Sequence, residues 1–488
     1  MNNAALINNE WLAGAGADLV SLNPLTDAVI WQGPGADRDQ VAAAVEAART
    51  AFSKWRKTSL ADRVDIVNRY TELLSQRKVE FSKLITQENG KPLWDAESEV
   101  NAMLAKTAIS LRALQERTST TQHDTAAGML SVRHRPHGVL AVFGPFNFPG
   151  HLPNGHILPA ILAGNCVVFK PSELTPGVAE EMCQLWVAAG LPPGVFNLVQ
   201  GDKVTGSALI EDPQLDGILF TGSAQTGHYL HKQFAGHPEK VLALEMGGNN
   251  PLVIDQVGNA KAAMYLSLFS AFVSSGQRCT CARRLMLPDS RWGDQFVEDL
   301  IHCAKNLVVA DGFAQPQPFM GTVISKDAVA HLNHGIQLLN NIGGTTLLQS
   351  QYGNPQQTLM SPCIVDMSTA QQNYDEELFG PVLQLYRYRD LEHALTLCND
   401  TRFGLAAGIV TEQPETYQVF ADQVRAGIVN CNKPLVGASS SAPFGGIGAS
   451  GNFNPGAYYA ADYCAYPVAS LTAEEPQSPA ELPPGMTL

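Results

Sequence analysis

Two rhythms alternate along the chain. Over residues 38–88 the pattern is helical: Leu60, Val64, Val67, Thr71 and Leu74 recur on one face, with Ser59 and Asp62 as a capping pair in front of them. Gly90 and Pro92 break that run. Residues 115–137 are polar and without a period, which predicts an arm or hairpin leaving the body. From 138 onward, short apolar runs read as strands: Val139–Phe143, Cys166–Phe169, Val195–Val199, Gly217–Phe220 and Val241–Leu244. Each is mostly apolar, as a strand covered on both faces must be. Between them lie the candidate crossover helices Leu152–Ala163, Gly177–Ala189, Val204–Ile210 and Gln225–Phe234. Such alternation predicts an α/β fold with a parallel, doubly wound sheet that binds ligands at the carboxyl ends of its strands. After Gly247–Gly248 a second α/β segment runs to residue 440. The tail, 469–488, contains Pro476, Pro479, Pro483 and Pro484, and reads as extended, packing if anywhere on a neighbouring subunit.

The chain has 488 residues, which at about 150 residues per domain means roughly three domains, or two large ones with embellishments. Acidic residues outnumber basic ones 46 to 32, giving a formal net charge of −14. A binder of nucleic acid or of anionic membrane needs a basic face, so neither partner is expected. The longest apolar run, Ala262–Val273, has the length of one buried helix and falls short of a membrane span. The N-terminus lacks a basic segment followed by an apolar core, so no secretory signal is expected. The nine cysteines are dispersed and form no CxxC pair, which fits a reducing compartment and a cytoplasmic protein.

Several short stretches could carry chemistry, and each has a plainer alternative. Phe220-Thr221-Gly222-Ser223-Ala224-Gln225-Thr226-Gly227 follows a strand and opens a helix, so its N–H groups could hold a phosphate. His228-Tyr229 stand where a Walker motif needs Lys-Ser or Lys-Thr, and the stretch alone could be an ordinary tight turn. Lys170 and Glu173 could serve hydroxyls, phosphate or a ribose diol, or could form a solvated pair. Cys279, in Gly276-Gln277-Arg278-Cys279-Thr280, is a candidate nucleophile or an inert small hydrophobe. A free thiol with a pKa of about 8.5 is only slightly ionised at neutral pH. As a nucleophile it needs Arg278, a helix terminus or a bound cationic ring to help it. Glu245, between apolar residues and two glycines, suits either a general base of raised pKa or a cap for backbone amides. Asn147, within Pro145–Pro149, is an oxyanion donor or a turn former. The pairs His151/His156 and His331/His334 have no carboxylate or cysteine at ligand spacing, so no metal site is expected.

Taken in order, Pro145–Pro149, Phe169–Glu173, Phe220–Gly227, Leu244–Gly248, Gly276–Thr280, Glu376–Pro381 and Pro443–Gly446 resemble the NAD(P)-dependent aldehyde dehydrogenase superfamily. The resemblance covers nearly the whole chain. It implies two doubly wound parallel-sheet domains plus a small oligomerisation arm. Residues 1–114 and 138–247 would form the NAD-binding domain, and 248–440 the catalytic domain. Residues 115–137 and 441–488 would form the arm and tail of a homodimer or homotetramer. It further implies that Cys279 is the nucleophile, Asn147 an oxyanion donor and Glu245 the base that activates water. Lys170 and Glu173 would hold the adenine ribose of NAD, Gly222 to Gly227 would lie by the pyrophosphate, and Glu377 and Phe379 by the nicotinamide riboside. A carboxylate at Glu173 would repel a 2′-phosphate and so favours NAD over NADP.

Within the family, Arg133–Gly138, Gly150–His156, Glu245–Pro251 and Tyr459–Cys464 resemble the branch acting on a succinylated, doubly carboxylated semialdehyde of arginine breakdown. Gly150, Pro153, Asn154 and Gly155 would widen the substrate tunnel, and Arg283, Arg284, Asn154 and Asn249 could meet the carboxylates. Residues 451–455 lack the His-Arg pair expected there in that branch, which leaves succinic or glutamic semialdehyde as alternative substrates. A CoA-acylating member would lack the acid at Glu245, and a catalytically silent one would be free to lose any of Cys279, Glu245 and Asn147.

Overall fold

The computed structural model describes residues 3–352 and 356–488, so residues 1–2 and 353–355 of the spans above lie outside the described residues. The alternating segment forms a seven-stranded sheet in the spatial order Val241–Met246, Gly217–Gly222, Val139–Phe143, Cys166–Lys170, Phe196–Val199, Ala5–Ile7 and Glu10–Leu12. The five strands between 139 and 246 are parallel. The N-terminal hairpin adds on antiparallel, turned at Asn8 and Asn9, both with positive φ. All five predicted strands are present, and three run on into Lys170, Gly222 and Glu245–Met246. Polar or small residues at those ends hide the continuation of an apolar run. The crossover helices His151–Ala163, Pro176–Ala188, Lys203–Glu211 and Ala224–Gln233 cover the sheet. Between them Leu140, Val142, Val167, Leu198 and Ile218 are fully buried.

From Val139–Phe143 the chain pairs with Cys166–Lys170 on one side and, later, with Gly217–Gly222 on the other. That change of direction opens a crevice at the strand ends, the usual ligand position in a doubly wound sheet. A second seven-stranded sheet follows the order Thr345–Leu348, Cys363–Asp366, Val382–Tyr388, Arg284–Pro288, Pro251–Ile254, Ala406–Val410 and Ile428–Cys431. Its strands are parallel except for the Thr345–Leu348 pairing.

Helices Arg38–Trp55, Leu60–Gln76 and Lys78–Asn89 fill the region read as helical, and Ser59 Oγ accepts from the Asp62 N–H as the capping pair requires. A further 25-residue helix, Leu93–Arg117, packs Ala96, Val100, Met103, Leu104, Leu111 and Leu114 on the first core. Its buried face is Asp95, Glu99, Lys106, Thr107 and Ser110 interleaved with Ala96, Val100 and Met103. The polar segment after it is a hairpin, Thr121–Thr125 with Gly128–Pro136. The tail departs from expectation. Ala465–Thr472 pairs with Met129–Pro136 of the same chain, so residues 469–472 complete their own arm. No helix among the described residues is long and apolar enough to cross a membrane.

Candidate active site

The nucleophile candidate is presented by a strained turn. Helix Ala260–Phe272 ends, and Ser274, Ser275 and Gly276 follow in the left-handed region with φ of 54, 54 and 70°. L-residues avoid that region, so something must hold them there. Ser274 Oγ donates to Asp95, and Ser275 Oγ donates to the Gly321 carbonyl at 2.9 Å. A Cβ on Gly276 would sit 2.2 Å from the Gly380 carbonyl oxygen, so only glycine fits. The chain then reaches Cys279, half-buried, whose carbonyl accepts from Asn250 Nδ2 at 2.7 Å. Among the described residues no acceptor takes the Cys279 N–H.

Asn147 follows the Val139–Phe143 strand and is buried, with Nδ2 donating to the Gln277 carbonyl at 2.9 Å. That bond ties the amide to the turn bearing Cys279 and leaves its second N–H available. Glu245 lies near the end of the Val241–Met246 strand, also buried. Its Oε1 accepts from the Gly456 N–H at 2.7 Å, while Oε2 has no partner. Burial, opposed by the Gly456 bond, pushes its pKa up to about 8. The loop that lacks the basic pair braces this strand along the edge away from Gly217–Gly222. Asn452 Oδ1 accepts from the Leu244 N–H, and Asn452 and Asn454 both donate to the Leu242 carbonyl. Residues 451–455 do not line the cavity beside Cys279.

Two cavities meet here. One, of about 590 Å³, runs along the crevice of the first sheet past Lys170, Glu173, Gly222, Ser223, Thr226, Glu377 and Phe379. The other, of about 290 Å³, is lined by Lys106, Phe148, His151, Gly155, Arg278 and Ser439, among others. Both reach Asn147, Glu245 and Cys279, which the structure therefore brings together. Both also touch Thr221, whose hydroxyl bonds His156 Nε2 at 2.9 Å while His156 Nδ1 meets the Tyr463 hydroxyl at 2.8 Å. Neither Lys106 nor this buried His156 bridge was picked out from the sequence. The signal for Lys106 was a lysine on the face shared with Asp95 and Glu99, visible only once the helix was known.

The larger cleft has the donors and acceptors a dinucleotide needs. Lys170 Nζ lies 3.6 Å from a Glu173 oxygen, beside the strand end. Ser223 caps helix Ala224–Gln233, its Oγ accepting from the Thr226 N–H at 3.2 Å, so a helix N-terminus faces the cleft. Glu377 accepts from the Gly248 N–H at 3.3 Å, and Phe379 meets Phe146 edge-on. A Cβ on Gly247 would stand 1.7 Å from Glu377 Oε2, so glycine is required for that carboxylate to lie where it does. Two carboxylates for diols, a helix N-terminus for phosphate and an aromatic side for a ring fit NAD. Ala224, Gln225 and Gly227 do not line the cleft; Gly227 packs instead on the Met246 side chain.

Some expectations fail. Arg278 gives the thiol no help: its Nη2 donates to Asp95 at 2.7 Å and its Nε to Ser274 Oγ at 2.8 Å. Burial, with Glu377 and Glu245 nearby, instead pushes the Cys279 thiol up to about 12. Arg283 and Arg284 do not reach the substrate-side cavity. Arg283 donates to the carbonyls of Gly276, Arg278 and Gly380, and Arg284 to those of Asn249, Leu397 and Cys398. Asn154 is buried against the Tyr70 hydroxyl, and Asn249 donates to Asp375 at 3.2 Å. All four are committed to the interior. Of the small residues expected to widen the tunnel, only Gly155 lines it; Gly150, Pro153 and Asn154 do not.

Residues 11–466 match the aldehyde dehydrogenase family. An N-succinylglutamate 5-semialdehyde dehydrogenase of Hahella chejuensis is 55% identical over 99% of both chains. Another of that name, from Chromobacterium violaceum, is 53% identical over 99% of both chains. Among solved structures, an E. coli NADP-dependent enzyme superposes with a TM-score of 0.89 at 30% identity, over 96% of this chain and 98% of that one. A Sinorhizobium meliloti structure complexed with NAD gives 0.90 at 25% identity, over 97% and 99%.

Proposed function

The chain belongs to the aldehyde dehydrogenase family, and from that premise we propose that it oxidises N-succinyl-L-glutamate 5-semialdehyde to N-succinyl-L-glutamate with NAD, in arginine breakdown by the succinyl-transfer route. The observation that carries this reading is the convergence of Cys279, Glu245 and Asn147 where a dinucleotide-shaped cleft meets a second cavity. Cys279 Sγ gives its proton to water and bonds to the aldehyde carbon. The carbonyl oxygen takes the negative charge, which the free N–H of Asn147 and the N–H of Cys279 stabilise. When bound in the cleft, NAD supplies a cationic ring that favours the thiolate and the acceptor for the departing hydride. Cys279 then carries the acyl group as a thioester. Glu245 Oε2 removes a proton from water, the water oxygen bonds to the acyl carbon, and Sγ leaves as the thiolate. Lys170, Glu173, Gly222, Ser223, Thr226, Glu377 and Phe379 hold the dinucleotide.

The chain works as a homodimer or homotetramer in the cytoplasm. Exposed strand edges on the arm support the assembly, and nine free cysteines support the reducing compartment. The test is NADH formation by absorbance with the succinylated semialdehyde, beside succinic and glutamic semialdehydes. The succinylated substrate is expected to be fastest, with no turnover by Cys279→Ala; a faster simple semialdehyde would overturn the substrate assignment.

A further inference from the structure

The substrate-side cavity holds one cation that no acid answers. Helix Leu93–Arg117 turns Asp95, Glu99 and Lys106 inward. Asp95 is taken by Arg278, at 2.7 Å, and by Ser274. Glu99 Oε2 accepts from Lys91 Nζ at 2.8 Å, and its Oε1 accepts from the N–H groups of Gly150 and His151 at 2.9 and 3.0 Å. The charges thus close in two pairs. Lys106 is 1% exposed and has no ion pair or hydrogen bond among the described residues. The neighbouring imidazoles of His151 and His156 carry no negative charge to balance it; burial, with Lys106 close by, brings both to about 3, so they stay neutral. Burial likewise lowers Lys106 to about 8, which still leaves the ammonium in the majority at neutral pH.

A buried ammonium without a partner is unfavourable, and an acid entering the cavity that Lys106 lines would complete the pair. Its surroundings leave room for that ligand. Gly155, one turn on from His151, also lines the cavity, and a Cβ there would stand 3.9 Å from Lys106 Cε. We infer, resting on the dehydrogenase reading of this site, that the Lys106 ammonium binds a carboxylate of the substrate and so selects acidic over neutral aldehydes. An ammonium pairs with a carboxylate as a compact charge with rotatable donors, a geometry suited to a carboxylate on a flexible chain.

Lys106→Met keeps the length of the side chain and removes the charge. The measurement is kcat and KM for N-succinylglutamate 5-semialdehyde, succinic semialdehyde and butanal, with melting temperature as the control for folding. KM for the two acids should rise about 10- to 100-fold, the value of a charged hydrogen bond, while butanal kinetics stay as in the parent. Lys106→Arg should restore the preference. Should Lys106→Met not fold, Lys106→Gln is read in the same way. An unchanged ratio of acidic to neutral kcat/KM in a folded Lys106→Met overturns the inference and leaves the dehydrogenase reading intact. A parent that ignores the succinylated substrate, with a variant that loses its preference for succinic semialdehyde, keeps the inference and removes the substrate assignment. A parent inert on every aldehyde removes both.

Discussion

A carboxylate held near pH 8 by its surroundings gives the proposed reaction a pH dependence whose sign can be worked out. Glu245 can take a proton from water only when ionised, and burial pushes its pKa up to about 8. Thioester hydrolysis should therefore slow as pH falls through about 8 and level off above it. Glu245→Gln keeps the shape and cannot accept the proton. One equivalent of NADH per active site should appear as a burst, followed by a steady rate roughly 10²- to 10⁴-fold below the parent. Rapid-mixing absorbance reads both phases. A variant with parental steady turnover would remove Glu245 from the role. Cys279, Glu245 and Asn147 could be proposed from the sequence because the short motifs that hold them, each ambiguous alone, follow one another in the order of the aldehyde dehydrogenase family, and the structure places the three at one junction of cavities. Lys106 could not be, because a lone lysine in an unmarked stretch has no local signature; only the finished helix and its two closed ion pairs single it out.

Elements position these groups through close backbone approaches, and Gly247 is a case that can be tested. Any side chain there meets Glu377 Oε2 at 1.7 Å and must move the carboxylate away from the cleft. Gly247→Ala is expected to raise KM for NAD about tenfold or more, since displacements of about an ångström cost that much in a built site. Dinucleotide affinity followed by fluorescence would check it, and parental affinity would show that Glu377 is not a contact. The strands of the first sheet could be read from the sequence because double burial demands apolar runs. Helix Leu93–Arg117 keeps an apolar stripe through Ala96, Val100, Leu104, Leu111 and Leu114, but Asp95, Glu99 and Lys106 are buried on it as well, and burial of those three polar positions is not written in a periodic pattern. The tail strand was missed for a different reason. Ala465–Thr472 is mostly exposed, and its order comes from pairing with Gly128–Pro136, a partner more than 300 residues earlier in the chain.

For the whole molecule, the arm is a three-stranded sheet whose outer strand, Thr121–Thr125, is exposed at every position. Such edges invite pairing with another chain. Ending the chain after Cys464 would strip the strand that covers the other side of Gly128–Pro136, and light scattering should then report a smaller assembly than the parent's. An unchanged mass would place the subunit contact elsewhere. Deeper in the molecule, the two cavities have in common Asn147, Leu152, Thr221, Glu245, Cys279 and Phe444. Traffic therefore passes through two doors that open on one small room. In the proposed reaction, an acyl group waiting on Cys279 would fill the room and the corridor to one door, and would leave the other door clear. Spent cofactor can walk out and a fresh molecule walk in while the acyl chain stays in its own corridor.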